Sequence, residues 1–317
     1  MIKDEKKLSK YNVIIYSRKC DRIVSVFSLR KKCSPKKRAL QSCEVLFRFI
    51  GVKKMKCVKN DLPHDLTKME IEIFSDLHLG SRKCDYMMIQ KRIERVRDNE
   101  RVYAIILGDV LQNSTKSSCG DVYSDELTPM EQVKKATMMF EPIKDKILGV
   151  CSGNHERRSY KTDGIDLLYF MCAELGIADR YDYCSCLLFI RFGTQTRYVK
   201  SKTHRKNLCY TLYMTHGDGQ GGRTIGGKAN GLQRRGQVVD ADIVVTGHTH
   251  APLSFRDCCY KIDYQNSCIV RREQLFVNAS ATLNYEEYAE LYGMKPSSKQ
   301  SPVLVLNGNK REVLVSM

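Results

Sequence analysis

The chain has 317 residues, enough for one large domain with an appendage or for two smaller domains. With 42% hydrophobic and 28% charged residues it is a folding sequence, and no run approaches the ~20 apolar residues of a membrane-spanning helix. The net charge of +17 is uneven: residues 1–65 hold 18 Lys/Arg against 6 Asp/Glu, and the remainder is nearly balanced. This division gives a basic N-terminal extension over residues 1–66 and a main domain over 67–317. A basic arm of this kind favours nucleic acid or another polyanion by counterion release. The start, MIKDEKKLSK, leads into no long apolar run and no small-residue cleavage site, so no export signal is expected. Fourteen cysteines scattered along so long a chain read as reduced thiols in the cytoplasm rather than as a disulfide framework.

Short β-like runs at Tyr11–Tyr16 and Ile23–Leu29 are broken by basic clusters. Cys20, Cys33, Cys43 and Cys57 lie too far apart for the close pairs that structural zinc requires. From Met69 the pattern becomes regular. Strands are expected at Met69–Ser75, Val102–Leu107, Ile147–Cys151, Cys186–Phe192, Leu208–Thr215, Ile243–Thr246 and Leu275–Asn278. Helices are expected over Tyr86–Arg97, from Pro129 to Phe140, and over Ile165–Leu175. The end reads as a hairpin, Pro302–Leu306 and Val313–Val315, turning through Asn307-Gly308-Asn309. Strands alternating with helices, followed by a strand-rich half, indicate α/β layering.

Five polar clusters share one location, just after a buried strand, where open α/β sheets place their ligands. They are Asp76-Leu77-His78, Gly108-Asp109, Gly153-Asn154-His155-Glu156, His216-Gly217 and Gly247-His248-Thr249-His250. Five of the seven histidines fall in these clusters. Imidazole, carboxylate and amide oxygen form a mixed N/O set that suits Mn, Fe, Zn or Co better than Ca. The one-residue spacing in Asp76-Leu77-His78 and His248-Thr249-His250 would point both side chains the same way on extended backbone. Glycines before Asp109, Asn154 and His248 permit tight turns.

In these residues the sequence resembles the calcineurin-like metallophosphoesterases, whose ordered motifs are Asp-x-His, Gly-Asp, Gly-Asn-His-Asp/Glu, a strand-end His and Gly-His-x-His. The resemblance covers roughly residues 69–250. It implies an α/β fold of two packed mixed β-sheets flanked by helices, an αββα sandwich. It also implies two divalent metal ions, manganese first and iron, zinc or cobalt as alternatives. Asp76, His78 and His250 would hold one, Asn154, His216 and His248 the other, and Asp109 would bridge them. His155 would sit beside the scissile phosphate as a source of a proton or positive charge, and Glu156 behind the ligands as a supporting partner. Two ions about 3.5–4 Å apart activate a shared water for in-line displacement at phosphorus, so the resemblance implies a metal-dependent hydrolase of phosphate esters.

The sequence says less about the substrate. The phosphoprotein phosphatases extend the Gly-Asp motif with an acidic residue and a phosphate-gripping arginine, where this chain reads Val110-Leu111-Gln112-Asn113. A phosphodiester is therefore preferred. The alternatives are a phosphomonoesterase or protein phosphatase, and a nucleic-acid-binding module without catalysis on the same scaffold. Arg157, Arg223 and Lys228 are candidate substrate contacts, with Arg158 beside the first. The segment from Gly222 to Lys228 has P-loop spacing, but Ala229 stands where a magnesium-binding hydroxyl is needed. Gly217–Gly231 therefore reads as an active-site loop.

Overall fold

The computed structural model describes residues 55–115, 125–199, 202–217, 222, 224–285, 296 and 298–317. Residues 1–54, with the two early strand candidates and three of the four early cysteines, lie outside that range, as does Arg223. From Met55 onward the chain forms one compact unit.

Two six-stranded sheets organise it. One runs β12-β11-β2-β3-β4-β5 and the other β1-β6-β7-β8-β10-β9. In the first, β2 (Lys68–Phe74), β3 (Val102–Ile106), β4 (Ile147–Cys151) and the short β5 (Tyr181–Asp182) are parallel. β11 (Val303–Asn307) adds antiparallel to β2, and β12 (Val313–Ser316) pairs antiparallel with β11 as the expected hairpin. The second sheet contains the long pair β6 (Ser185–Val199) and β7 (Lys202–Thr215), then β8 (Ile243–Thr246), with β9 (Leu253–Asp263) and β10 (Cys268–Asn278) at its edge.

Strand alternation makes the layers. In β3, Tyr103, Ile105 and the following Leu107 face a core shared with Leu188, Ile190, Tyr210, Leu212 and Val245 of the other sheet. Val102, Ala104 and Ile106 face outward onto helices. Those helices are α1 (Tyr86–Asp98), α2 (Pro129–Phe140), α3 (Glu156–Asp163) and α4 (Leu167–Glu174). A fifth, α5 (Ile225–Gly236), covers the far face of the second sheet through Leu232 against Phe276 and Val244. The result is the expected αββα sandwich. Local chemistry sets the helix starts. Asp85 caps α1 by accepting from the Met88 N–H (3.0 Å), and Thr128 and Glu131 form a reciprocal capping box ahead of Pro129 in α2. Among the described residues no helix is long and apolar enough to cross a membrane.

Several expectations are corrected. β1 (Lys56–Asp61), which was not expected as a strand, pairs in parallel with Cys186–Arg191. Helix α3 was not expected, because ERRSYKTD carries no apolar periodicity; it ends at Gly164 in the left-handed region (φ 70°). The segment 225–231, read as loop, is the first part of α5. Thr224 caps it by accepting from the Gly227 N–H (3.1 Å), and at its other end Gly236 allows close packing, since a Cβ there would lie 2.4 Å from the Phe276 ring.

The C-terminal hairpin is pinned from below. The Tyr210 hydroxyl, in the shared core, donates to the Asn307 carbonyl (2.7 Å) and accepts from the Glu312 N–H (3.0 Å). Tyr210→Phe is expected to lower stability by about 1–3 kcal/mol, read as a lower urea midpoint at unchanged slope, because it strands buried backbone groups.

Candidate metal centre

All five clusters meet at the carboxyl ends of β2, β3, β4, β7 and β8. The chain does not leave these strands as extended backbone. Asp76, His78, Asp109, His248 and His250 all have positive φ, between 48° and 67°. The paired ligands in Asp-x-His and His-x-His therefore converge through left-handed bends rather than through the expected strand alternation. Each such residue costs about 1–2 kcal/mol, a strain that long-range bonds must offset. Those bonds are present. The Leu77 and His78 N–H groups donate to the Asp109 carbonyl (2.8 and 3.0 Å), and the Asp76 N–H to that of Gly108 (3.1 Å). The His248 N–H donates to Asp76 Oδ2 (3.0 Å), and the His155 N–H to Asp109 Oδ1 (2.8 Å).

The glycines serve close approach more than turning. A Cβ on Gly153 would stand 2.1 Å from Asp109 Oδ1, and one on Gly247 would stand 2.0 Å from Ser75 Oγ. Of the three glycines that precede Asp109, Asn154 and His248, Gly108 alone combines contact with a left-handed φ, at 80°.

Three groups of side chains bring ligand atoms within 4.8 Å of one another: Asp76 with His78 and His250, His78 with Asp109 and His155, and Asp109 with His216 and His248. Asn154 joins the last group, its Oδ1 3.0 Å from His216 Nε2. Two imidazoles are oriented by their other nitrogen. His216 Nδ1 faces the Leu107 carbonyl at 2.7 Å and His78 Nδ1 faces Gln112 Oε1 at 3.0 Å, which turns both Nε2 atoms inward. Asp76 Oδ1 and His78 Nε2 are buried and make no hydrogen bond. Buried polar atoms left in that state fit a divalent cation, which would satisfy both.

The electrostatics agree. Burial would raise the Asp76 carboxyl, but His250 and His216 outweigh it and hold it well below the usual range. Burial and the neighbouring His155 push His78 down to about 3, leaving a neutral ring with a lone pair to donate. The sequence model of the calcineurin-like phosphoesterases matches residues 69–252.

The chain belongs to this family.

Family membership brings divalent metal, and the clustered ligands provide for it. Among solved structures, the chain resembles Vacuolar Protein Sorting 29 from Cryptosporidium parvum at 13% identity and a TM-score of 0.37, over 79% of this chain and 98% of that one. A predicted phosphoesterase from Streptococcus pneumoniae matches at 13% identity and 0.32, over 79% and 90%. The nuclease MPE of Pseudomonas putida matches at 14% and 0.31, over 78% and 87%. No curated protein sequence matches significantly.

Glu156 stands behind the centre. Its buried carboxylate accepts from the N–H groups of Asp109 (3.0 Å), Leu111 (3.0 Å) and Gly153 (2.8 Å), tying the loop after β3 to that after β4. Glu156→Ala would strand three buried donors. It is expected to cost the fold about 3–5 kcal/mol by chemical denaturation, with Glu156→Gln recovering part of this.

The candidate substrate contacts divide. Arg157 Nη2 donates to the carbonyls of Ser152 (2.9 Å) and Tyr183 (3.1 Å), so its guanidinium ties α3 to the strand ends rather than facing the ligands. Arg158 occupies that position instead: its Nη2 lies 2.9 Å from His155 Nε2, and its Nη1 donates to the Gln112 and Asn113 carbonyls at 3.3 and 3.4 Å. Lys228 Nζ donates to the Thr249 carbonyl (2.8 Å) and braces the His-x-His bend. Gln112 and Asn113 are participants that sequence reasoning recorded only as a missing arginine. Gln112 holds His78 through its side chain and His155 Nδ1 through its carbonyl (2.7 Å), and Asn113 Nδ2 donates to the His155 carbonyl (2.7 Å). Their signal was position alone, two residues beyond a strand-end Gly-Asp-Val-Leu.

Proposed function

We propose that the protein hydrolyses phosphodiesters with two divalent cations, manganese for preference. Asp76, His78 and His250 would hold one, Asn154, His216 and His248 the other, and Asp109 would serve both. The observation that carries this reading is that Asp109 belongs to two of the three ligand groups, while the groups of Asp76 and of His216 share no residue. Bound there, the cations would lower the pKa of a water and neutralise charge on the phosphoryl oxygens.

The remaining work falls to side chains of the chain itself. His155 donates from Nδ1 to the Gln112 carbonyl, which fixes its tautomer and leaves Nε2 between Arg158 and Asp109 Oδ2 (3.8 Å). Nε2, unprotonated in this tautomer, accepts from Arg158, so the guanidinium supplies the positive charge where it would develop on a leaving oxygen and the imidazole holds it there. The neutral pair Gln112-Asn113, where the phosphoprotein phosphatases carry an acid and an arginine, supports a singly charged diester over a doubly charged monoester. We place it in the cytoplasm, because fourteen cysteines scattered along so long a chain fit reduced thiols better than a disulfide framework.

The test is hydrolysis of bis-p-nitrophenyl phosphate and of p-nitrophenyl phosphate by chelator-stripped protein after manganese is returned. Activity should come back with the metal and favour the diester; a faster monoester would reverse the substrate reading. His155→Ala should lower kcat about 10²–10⁴-fold while metal content stays at the wild-type value.

A further inference from the structure

We propose that the rim beside the metal centre, formed by α3 and the end of β5, is a stacking platform for single-stranded nucleic acid; this rests on the phosphodiesterase reading and names its substrate class. β4 and β5 are adjacent parallel strands, so Tyr183, just beyond β5, stands one strand over from Asn154 and His155, just beyond β4. That offset is about 4.8 Å across the sheet.

Tyr160, on α3, is 48% exposed, with its ring centroid 4.7 Å from that of Tyr183 at a 48° tilt. The Arg157 guanidinium carbon lies 5.3 Å from the Tyr183 ring centroid. Tyr183 is therefore braced by a cation, and Tyr160 presents open ring surface to solvent. A second exposed ring, Tyr169 (47% exposed), lies 6.1 Å from Tyr181, which is itself buried and supports it from below.

Charge on the same helix matches a phosphate backbone. Arg157, Arg158 and the exposed Lys161 are its cations; of its two acids, Glu156 is buried and spent on backbone N–H groups, and the exposed Asp163 stands at its last position. Aromatic rings interleaved with cations bind single strands without regard to sequence, because every base has a π-face. In a duplex those faces are covered by neighbouring bases, so the same rim discriminates against duplex.

The test is anisotropy of a short fluorescein-labelled oligo(dT), titrated with chelator-treated full-length protein so that binding is read without cleavage. Tyr160→Ala is expected to raise Kd about 5- to 150-fold and Tyr160→Phe to leave it within about twofold. Tyr183→Leu should weaken binding in the same direction, and Lys161→Ala should lower the salt slope by about one ion. Wild-type affinity in both tyrosine variants, or equal loss in Tyr160→Phe and Tyr160→Ala, would overturn the platform. If the wild type binds oligo(dT) through Tyr160 yet hydrolyses no diester with manganese present, the platform stands and the esterase reading falls. If it hydrolyses bis-p-nitrophenyl phosphate and binds oligo(dT) no better than the matching duplex, the platform alone falls.

Discussion

Asp109→Asn should reduce hydrolysis of bis-p-nitrophenyl phosphate by at least about 10³-fold and release most of the bound metal on dialysis. The carboxylate is almost wholly buried, with Oδ2 3.2 Å from His216 Nε2 and Oδ1 accepting from the His155 N–H. An amide has nearly the same shape and can still accept that bond, so the loops around it should keep their places. What disappears is one negative charge at the point shared by two ligand groups. Losing it removes several kcal/mol of cation and transition-state stabilisation, and each 1.36 kcal/mol is a factor of ten in rate. Metal analysis after dialysis, with turnover on the same sample, checks both parts. Near-normal turnover would place the reacting centre elsewhere.

The second large effect should come from removing a glycine. Gly108 has φ 80°, and a Cβ there would lie 2.1 Å from the Gly153 nitrogen and 2.5 Å from its Cα. Both are backbone atoms of the loop that carries Asn154, so no side chain can swing away. Gly108→Ala should therefore add the left-handed penalty of about 1–2 kcal/mol to an overlap cost of about 1–3 kcal/mol, and shift Asp109 and Asn154 apart. We expect a thermal midpoint lower by about 10 °C and loss of metal binding. Gly164→Ala is the comparison: its φ is 70°, but no atom lies within 4 Å of the added Cβ. It should cost only the backbone term and leave metal binding intact. Similar losses in the two variants would show that the Gly108–Gly153 contact does not matter.

These effects mark how much of the site could be read in advance. The strand cores at Met69, Val102, Ile147 and Ile243 were legible because period-two or continuous apolar runs are local, and each ends in a polar cluster of unusual composition. Helix α2 was legible from Pro129 and the helical spacing of Val133, Ala136, Thr137 and Phe140 after it. The outer halves of β9 and β10 were not, because they project as an exposed hairpin: Tyr260, Ile262 and Ile269 are 77%, 63% and 70% exposed, so no burial pattern marks them as strand. The reading of 217–231 as loop failed at 225–231 for a related reason. Glycine content does not forbid a helix once Thr224 caps its first turn and Leu232 anchors the next against Phe276 and Val244 of the second sheet.

The sequence by itself determined the family, the α/β layering, and which residues gather at the strand ends, because each motif is a short string whose chemistry does not depend on distant partners. Only the tertiary structure decided how those residues point. The left-handed bends at Asp76 and His248 are held by contacts such as the His248 N–H to Asp76 Oδ2, 172 residues apart. The choice of Arg158 over Arg157 beside His155 follows from where α3 meets the ends of β4 and β5. Both outcomes depend on bonds between segments far apart in the chain, and such bonds exist only once the two sheets have packed.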